Sequence, residues 1–135
     1  MHLVLHAVFM IAGLAFVTAG VIVARLMRNR PWWLRGHRAL GAGGALAVLC
    51  GFSAAVAMVA GFGGPHFQVP HAWAGAAVVL CAVATPVLGQ LQFSVKGRRA
   101  EIRKAHRAAG ALTLILLILN ILSGLVLVEV IPNMR

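Results

Sequence analysis

The 135-residue sequence has few charged residues and almost no acidic ones. Charged side chains make up 10% of it, the only acidic residues are Glu101 and Glu129, and tyrosine is absent. Soluble domains carry about 25% charged residues, whereas 61% of this chain is hydrophobic and its mean hydropathy is +0.95. The chain lacks the polar side chains that would cover a water-soluble globule, which excludes a soluble enzyme.

Cysteine is also scarce. Cys50 and Cys81 each lie inside an apolar run, and the sequence has neither a C-x-x-C pair nor the C-x-x-C-H motif that attaches haem covalently. This excludes a zinc or dithiol redox site built on cysteine pairs. We expect both thiols to be free and buried, as small hydrophobic groups.

Four long apolar segments make up most of the chain. They cover residues 3–26, 40–62, 72–95 and 108–131. A helix needs about 20 apolar residues to cross a hydrocarbon core of about 30 Å, so each segment is long enough to span a membrane. The first lacks the basic start and the cleavage site of a signal peptide, and we expect it to be retained. The sequence predicts one domain, residues 1–135, that is an all-α membrane protein: an up-down bundle of four transmembrane helices.

The basic residues are concentrated between these segments. The net charge is +10, and eleven of the 12 lysines and arginines lie in windows 25–38 and 96–107, whereas loop 63–70 has no charged residue. By the positive-inside rule, both basic loops are predicted to be cytoplasmic and both termini to lie outside. Basic residues at membrane boundaries favour contact with lipid headgroups and argue against nucleic acid as a partner.

A histidine stands at the start of each apolar segment. His6, His37, His71 and His106 follow one another at intervals of 31, 34 and 35 residues, which indicates a duplicated helical hairpin. In an up-down bundle, His6 and His71 share the outer half, while His37 and His106 share the cytoplasmic half. About 20 residues between the two levels correspond to roughly 25–30 Å. The histidines therefore predict two sites with two ligands each.

Three of these histidines are followed, four residues later, by glycine: Gly41, Gly75 and Gly110. Residue i+4 lies on the same helix face, so a missing side chain leaves room for the edge of a flat macrocycle beside the imidazole. This favours haem iron, often ligated axially by histidine, over zinc, which needs further ligands. Leucine at these glycines is expected to displace haem, whereas Gly20 and Gly61 are expected to lie away from the ligands.

Other residues near the histidines have less specific expected roles. Arg38 and Arg107 follow the cytoplasmic histidines and can reach haem propionates or lipid phosphates. Met10, one turn beyond His6, is a conceivable axial group but is expected to pack against the ring, and His2 is the rival ligand on the same face. An alternative stays open on the residues alone: a haem-free helical membrane subunit, or a small transporter, whose histidines bind metal or protons.

Together these motifs resemble the cytochrome b561 family, most closely the domain that follows DOMON domains in larger proteins. The first segment carries His6, Met10 and Gly13 in an order similar to the family's His-x-x-x-Met-x-x-Gly. The last carries Asn120 and Gly124 in a spacing similar to the family's Asn-x-x-x-Gly. The resemblance covers nearly the whole chain.

The resemblance implies a four-helix bundle enclosing two non-covalent b-type haems, one ligated by His6 with His71 and the other by His37 with His106. It also implies electron transfer across the membrane. Lysine is associated with the ascorbate site of eukaryotic members, and the approach to His37 carries arginine only, so a quinol or a redox-protein partner is expected in place of ascorbate. We expect a multi-pass protein of a bacterial inner membrane, either on its own or as a subunit of a larger membrane complex.

Overall fold

The computed structural model describes residues 1–128, and this part of the chain forms four helices. They are α1 (His2–Leu26), α2 (Trp33–Gly61), α3 (Pro70–Ser94) and α4 (Arg99–Leu127). Each is long and apolar enough to cross a membrane. The prediction of an all-α, four-helix membrane protein is confirmed. The predicted end of the last span, residues 129–131, and Glu129 lie outside the described residues.

The two helices that start on the basic side begin earlier than the apolar pattern predicts. Helix α2 begins at Trp33 rather than at residue 40, and α4 begins at Arg99 rather than at residue 108. Lysine and arginine are good helix formers, and their long side chains can extend to the headgroup region, so the helices continue through the basic windows. His37 and His106 consequently lie about one and two turns inside their helices.

The bundle consists of two helical hairpins that face each other. Helix α1 packs most extensively against α2, and α3 against α4, while α2–α3 and α1–α4 contacts are smaller. Within residues 1–128, the diagonally opposed helices, α1 with α3 and α2 with α4, have no Cα atoms within 8 Å of each other. Diagonally opposed helices can therefore meet only through their side chains.

Glycines allow α1 and α2 to approach closely. A Cβ atom added at Gly44 would lie 2.9 Å from Val17 Cγ2, and one added at Gly13 would lie 2.9 Å from Val48 Cγ2. Both distances are too short for carbon atoms that are not bonded. Small residues at such contacts are a usual means of packing helices within membranes.

A small apolar core closes the middle of the bundle. Its buried members come from all four helices: Met10, Val48, Val78, Ala82 and Leu117. Each of the four histidines precedes the core residues of its own helix, and neighbouring helices run in opposite directions. The core therefore separates His6 and His71 from His37 and His106. They are called the outer pair and the cytoplasmic pair below, after the orientation that the basic loops predict.

The cysteines are free, as predicted, but they are not both buried. Cys81 is partly buried, whereas Cys50 is exposed on the surface of the bundle. Cys50 lies within a transmembrane helix, so its surroundings are apolar even though no other helix covers it. The prediction of a buried Cys50 is wrong because an apolar run does not show which helix face meets lipid.

Candidate functional site

The four histidines form two facing pairs. The ring centroids of His6 and His71 are 6.1 Å apart, and the ring planes are inclined at 84°. The rings of His37 and His106 are 5.9 Å apart and inclined at 85°. Each pair joins diagonally opposed helices across the interior. The structure thus brings together the two pairs that the directions of the helices predict.

Each imidazole is also held by the neighbouring helix of its own hairpin. Three of the rings donate a hydrogen bond from Nδ1 to a backbone carbonyl oxygen, and the fourth donates to a hydroxyl. The bonds run from His6 to Gly51 O (2.8 Å), His37 to Gly20 O (2.9 Å), His106 to Thr85 O (2.8 Å) and His71 to Ser123 Oγ (3.0 Å). A carbonyl oxygen can only accept, so Nδ1 carries the proton and the Nε2 lone pair is available to a metal.

This geometry fits a metal held between the two rings of each pair. A metal–imidazole bond is about 2.0–2.1 Å long, so two imidazoles on opposite sides of one metal hold their centroids roughly 6 Å apart. No group of three or more His, Cys, Asp or Glu side chains occurs among residues 1–128. The described residues would therefore supply two imidazole ligands to a metal at each site, and they do not form a four-ligand zinc site. This donor set fits haem iron, since the porphyrin provides the other ligands.

The cytoplasmic pair borders a large cavity. Its volume is about 1090 Å³, and His37 and His106 line it together with Gly41 and Gly110. Ligand pockets commonly measure about 300–1,000 Å³. A Cβ atom added at Gly41 would meet nothing within 4 Å, and one added at Gly110 would lie 3.6 Å from Thr85 Cγ2. Open space is therefore present beside Gly41, whereas Thr85 lies within contact distance of a side chain at Gly110.

The outer pair differs because an amide side chain lies beside Gly75. A Cβ atom added at Gly75 would lie 3.4 Å from Asn120 Nδ2. Asn120 is only 2% exposed, and within the described chain its Oδ1 has no hydrogen-bond partner. In the sequence, Asn120 is identified only through the motif that it forms with Gly124. Its side chain lies beside Gly75, one helical turn from His71, and therefore borders the outer site.

A second group of glycines, which the sequence analysis missed, supports the imidazoles from the adjacent helix. A Cβ atom at Gly89 would lie 3.1 Å from His106 Cε1, and one at Gly124 would lie 3.0 Å from His71 Cε1. Gly20 also contacts a ring, since its carbonyl accepts the bond from His37. The expectation that Gly20 lies away from the ligands is wrong, because the antiparallel packing of α1 and α2 brings the end of one helix beside the start of the other.

The spacing of residues within each helix contains a signal that could have identified the carbonyl groups that accept from the histidines. The carbonyl acceptors Gly20, Gly51 and Thr85 each lie fourteen residues after a histidine of their own helix. Fourteen residues correspond to about 21 Å of helix. The two ligand levels are thus closer than the roughly 25–30 Å expected from the sequence, because His37 and His106 lie inside their helices rather than at the helix starts.

Basic side chains surround the cytoplasmic cavity. Arg38 donates a hydrogen bond to Gln90 Oε1, and its guanidinium lies 5.4 Å from the centroid of Phe93. Arg99 lies 5.6 Å from the same ring. Arg107 also lines the cavity. This concentration of positive charge attracts anionic groups to the mouth of the cavity.

The remaining candidates on α1 have different surroundings. Met10 is 4% exposed and packs in the apolar core, and a Cβ atom at Gly51 would lie 3.0 Å from its sulfur. His2 is exposed at the start of α1, whereas His6 faces His71. The structure therefore places His6, rather than His2, opposite the outer histidine of α3.

Comparison with known protein families gives a match over nearly the whole chain. A family model described as eukaryotic cytochrome b561 matches residues 5–130, which include all four paired histidines. No curated protein matches the chain, and no solved structure does. The family description lends no support to the expected bacterial origin, which stays a prediction. Because the match covers nearly the whole sequence, the chain belongs to the cytochrome b561 family, whose members use b-type haem for transmembrane electron transfer.

Proposed function

We propose that this protein is a di-haem b cytochrome that carries electrons across the membrane. One haem is held by His6 with His71, and the other by His37 with His106. The observation that carries this proposal is the presence of two imidazole pairs with nearly equal spacing, 6.1 and 5.9 Å, at opposite ends of one bundle. If the histidines only packed the helices together, the two pairs would have no reason to share the same spacing.

The chain contributes orientation, ligation and an apolar environment. When bound, a b-type haem supplies a one-electron couple at an iron whose potential depends on its axial ligands and surroundings. The helices place each imidazole opposite its partner, and the carbonyl groups of Gly20, Gly51 and Thr85 keep the ring proton on Nδ1. The buried core around Val48 and Leu117 excludes water between the two pairs.

We further propose that electrons are exchanged with a quinol or a redox-protein partner on the cytoplasmic side, and with a second partner on the opposite face. The cytoplasmic cavity supports this proposal because Arg38 and Gln90 line it beside His37. We also propose that both termini lie outside. The positive-inside rule supports this, since windows 25–38 and 96–107 hold eleven of the 12 lysines and arginines.

Haem content tests the proposal directly. The purified full-length protein is expected to contain two haems per chain, both removable by acid–acetone and both low-spin with two histidine ligands. Haem-to-protein quantification after extraction provides the number, and visible spectra provide the ligation. A ratio near zero, or haem that stays on the protein after extraction, contradicts the proposal and favours the haem-free alternative.

Single histidine substitutions test the pairing. His37→Ala and His106→Ala are each expected to remove the same haem, and His6→Ala and His71→Ala the other, because each pair shares one metal. His2→Ala and His66→Ala serve as controls, since both residues are exposed. Haem counts and spectra of membrane-inserted protein distinguish the sites. If His37 and His71 proved to share a haem, the proposed pairing would be wrong.

A further inference from the structure

The fourth imidazole is anchored differently from the other three. His71 Nδ1 lies 3.0 Å from Ser123 Oγ, and Ser123 Oγ in turn donates to the carbonyl oxygen of Asn120 at 2.9 Å. A serine hydroxyl has one hydrogen, and here Asn120 O receives it. Ser123 Oγ therefore accepts a hydrogen bond from His71, which leaves Nε2 of His71 unprotonated.

The helical repeat shows that Ser123 is an addition to the common pattern. The other three acceptors are carbonyl groups fourteen residues after a histidine, and the residue fourteen positions after His106 is Asn120. The carbonyl at the equivalent position therefore also lies near His71, and the hydroxyl of Ser123 is hydrogen-bonded to both groups. Within residues 1–128, His71 is the one paired histidine whose Nδ1 atom is hydrogen-bonded to a side chain.

We propose that Ser123 is a positioning residue that sets the reduction potential of the outer haem by acting through His71. This inference rests on the proposed function. A hydrogen bond accepted from Nδ1–H increases the electron donation of the imidazole to its metal, which stabilises ferric iron relative to ferrous iron. Ser123 accepts more strongly because it also donates to Asn120, since hydrogen bonds in a chain polarise one another.

Steric contacts also fix the orientation of the His71 ring. Gly124, the residue after Ser123, packs against the imidazole of His71. A Cβ atom at Gly124 would lie 3.0 Å from His71 Cε1. The ring is thus located by van der Waals contact at Gly124 and by a hydrogen bond at Ser123. Removal of the hydroxyl leaves the contact with Gly124 in place, so the effects of Ser123 can be measured without disrupting helix packing.

The test compares three variants of the full-length protein: Ser123→Ala, Ser123→Thr and the control Ser53→Ala, which removes an exposed hydroxyl on α2. Potentiometric titration and electron paramagnetic resonance follow the two haems separately. Ser123→Ala is expected to raise the midpoint potential of the haem that His71→Ala removes, by up to tenfold in the reduction equilibrium constant, which is ~59 mV for one electron. Ser123→Thr is expected to keep the midpoint potentials of the parent protein, since threonine retains the hydroxyl.

The outcomes separate this inference from the proposed function. An unchanged or lowered potential of the outer haem in Ser123→Ala overturns the role of Ser123, as does an equal shift of both haems or the same shift in Ser53→Ala. Loss of the outer haem alone in Ser123→Ala, with both haems kept in Ser123→Thr, supports the positioning of His71 by the hydroxyl. If the parent protein itself binds no haem, it is the proposed function that fails.

Discussion

At the scale of single residues, glycines serve two different purposes around the histidines. Gly41 faces open space in the cavity, whereas Gly89 supports the ring of His106 from the neighbouring helix. Both are helical glycines, and helix propensity alone disfavours both of them. Their value comes from what lies next to them: space for a ligand at Gly41, and an imidazole at Gly89.

This distinction leads to a prediction for Gly41→Leu. The new side chain would occupy cavity space beside His37, and overpacking of an occupied site costs about 1–3 kcal/mol. Because the haem can leave, we expect the cytoplasmic haem to be lost while the outer haem and the helices remain. The measurement is the haem content and spectrum of membrane-inserted protein.

The matched control is Gly61→Leu, since a Cβ atom at Gly61 also meets nothing within 4 Å and Gly61 does not line the cavity. This variant is expected to keep both haems. Gly110→Leu is expected to resemble Gly41→Leu, and Gly75→Leu is expected to affect the outer haem, where it also meets Asn120. Full occupancy of both sites in Gly41→Leu and Gly110→Leu would show that no porphyrin edge lies beside these glycines.

At the scale of helices, close packing within the first hairpin holds the ligands of two different sites. His6 and His37 lie on α1 and α2, and each donates to a carbonyl of the other helix. A change in the distance between α1 and α2 therefore alters both hydrogen bonds together. We therefore expect the stability of the hairpin and the occupancy of both proposed sites to be coupled.

Adjacent glycines on α2 offer a test of this coupling. A Cβ atom at Gly44 would lie 2.9 Å from Val17 Cγ2, whereas one at Gly43 would come no closer than 3.9 Å to Phe16. Valine is stiff about χ1, so Gly44→Ala must push the helices apart. We expect it to lower the stability of the folded protein by about 1–3 kcal/mol and to weaken both haem sites.

Gly43→Ala is the control, and it is expected to be neutral or slightly stabilising because alanine favours helix by about 1 kcal/mol over glycine. Denaturation in detergent, followed by helical circular dichroism and by haem absorbance, measures both effects. Equal stability of the two variants, or loss of one haem alone in Gly44→Ala, would contradict the coupling of the hairpin to both sites.

At the scale of the whole molecule, the charge distribution predicts one orientation in the membrane. Residue 97 lies in the basic loop between α3 and α4, and His66 lies in the uncharged loop between α2 and α3. We expect a cysteine at Gly97 to be labelled from the cytoplasm and a cysteine at His66 from outside. An impermeant maleimide applied to intact and opened cells, on a Cys50→Ala, Cys81→Ala background, makes the measurement.

The reversed labelling pattern would contradict the positive-inside assignment and would exchange the membrane faces of the two histidine pairs. It would leave the pairs themselves unchanged, since His6 and His71 face each other whichever way the bundle is inserted. Orientation and ligation are therefore independent questions for this protein.

Much of the fold could be predicted because it depends on properties that are local in the chain. Apolar segments of sufficient length predict spanning helices, and the alternating directions of these helices predict which histidines share a membrane level. The helix starts at Trp33 and Arg99 were missed because the apolar pattern ends where the basic windows begin, although the backbone hydrogen bonds continue.

By itself, the sequence determined the number of spans, the level of each histidine and the family, since these follow from hydropathy, helix direction and spacing along one chain. Only the tertiary structure decided that Gly20, Gly89 and Gly124 contact the imidazoles and that Ser123 is hydrogen-bonded to both His71 and Asn120. Those contacts join helices from different parts of the chain. They depend on the rotation and distance of one helix relative to another, which packing of side chains sets and periodicity does not specify.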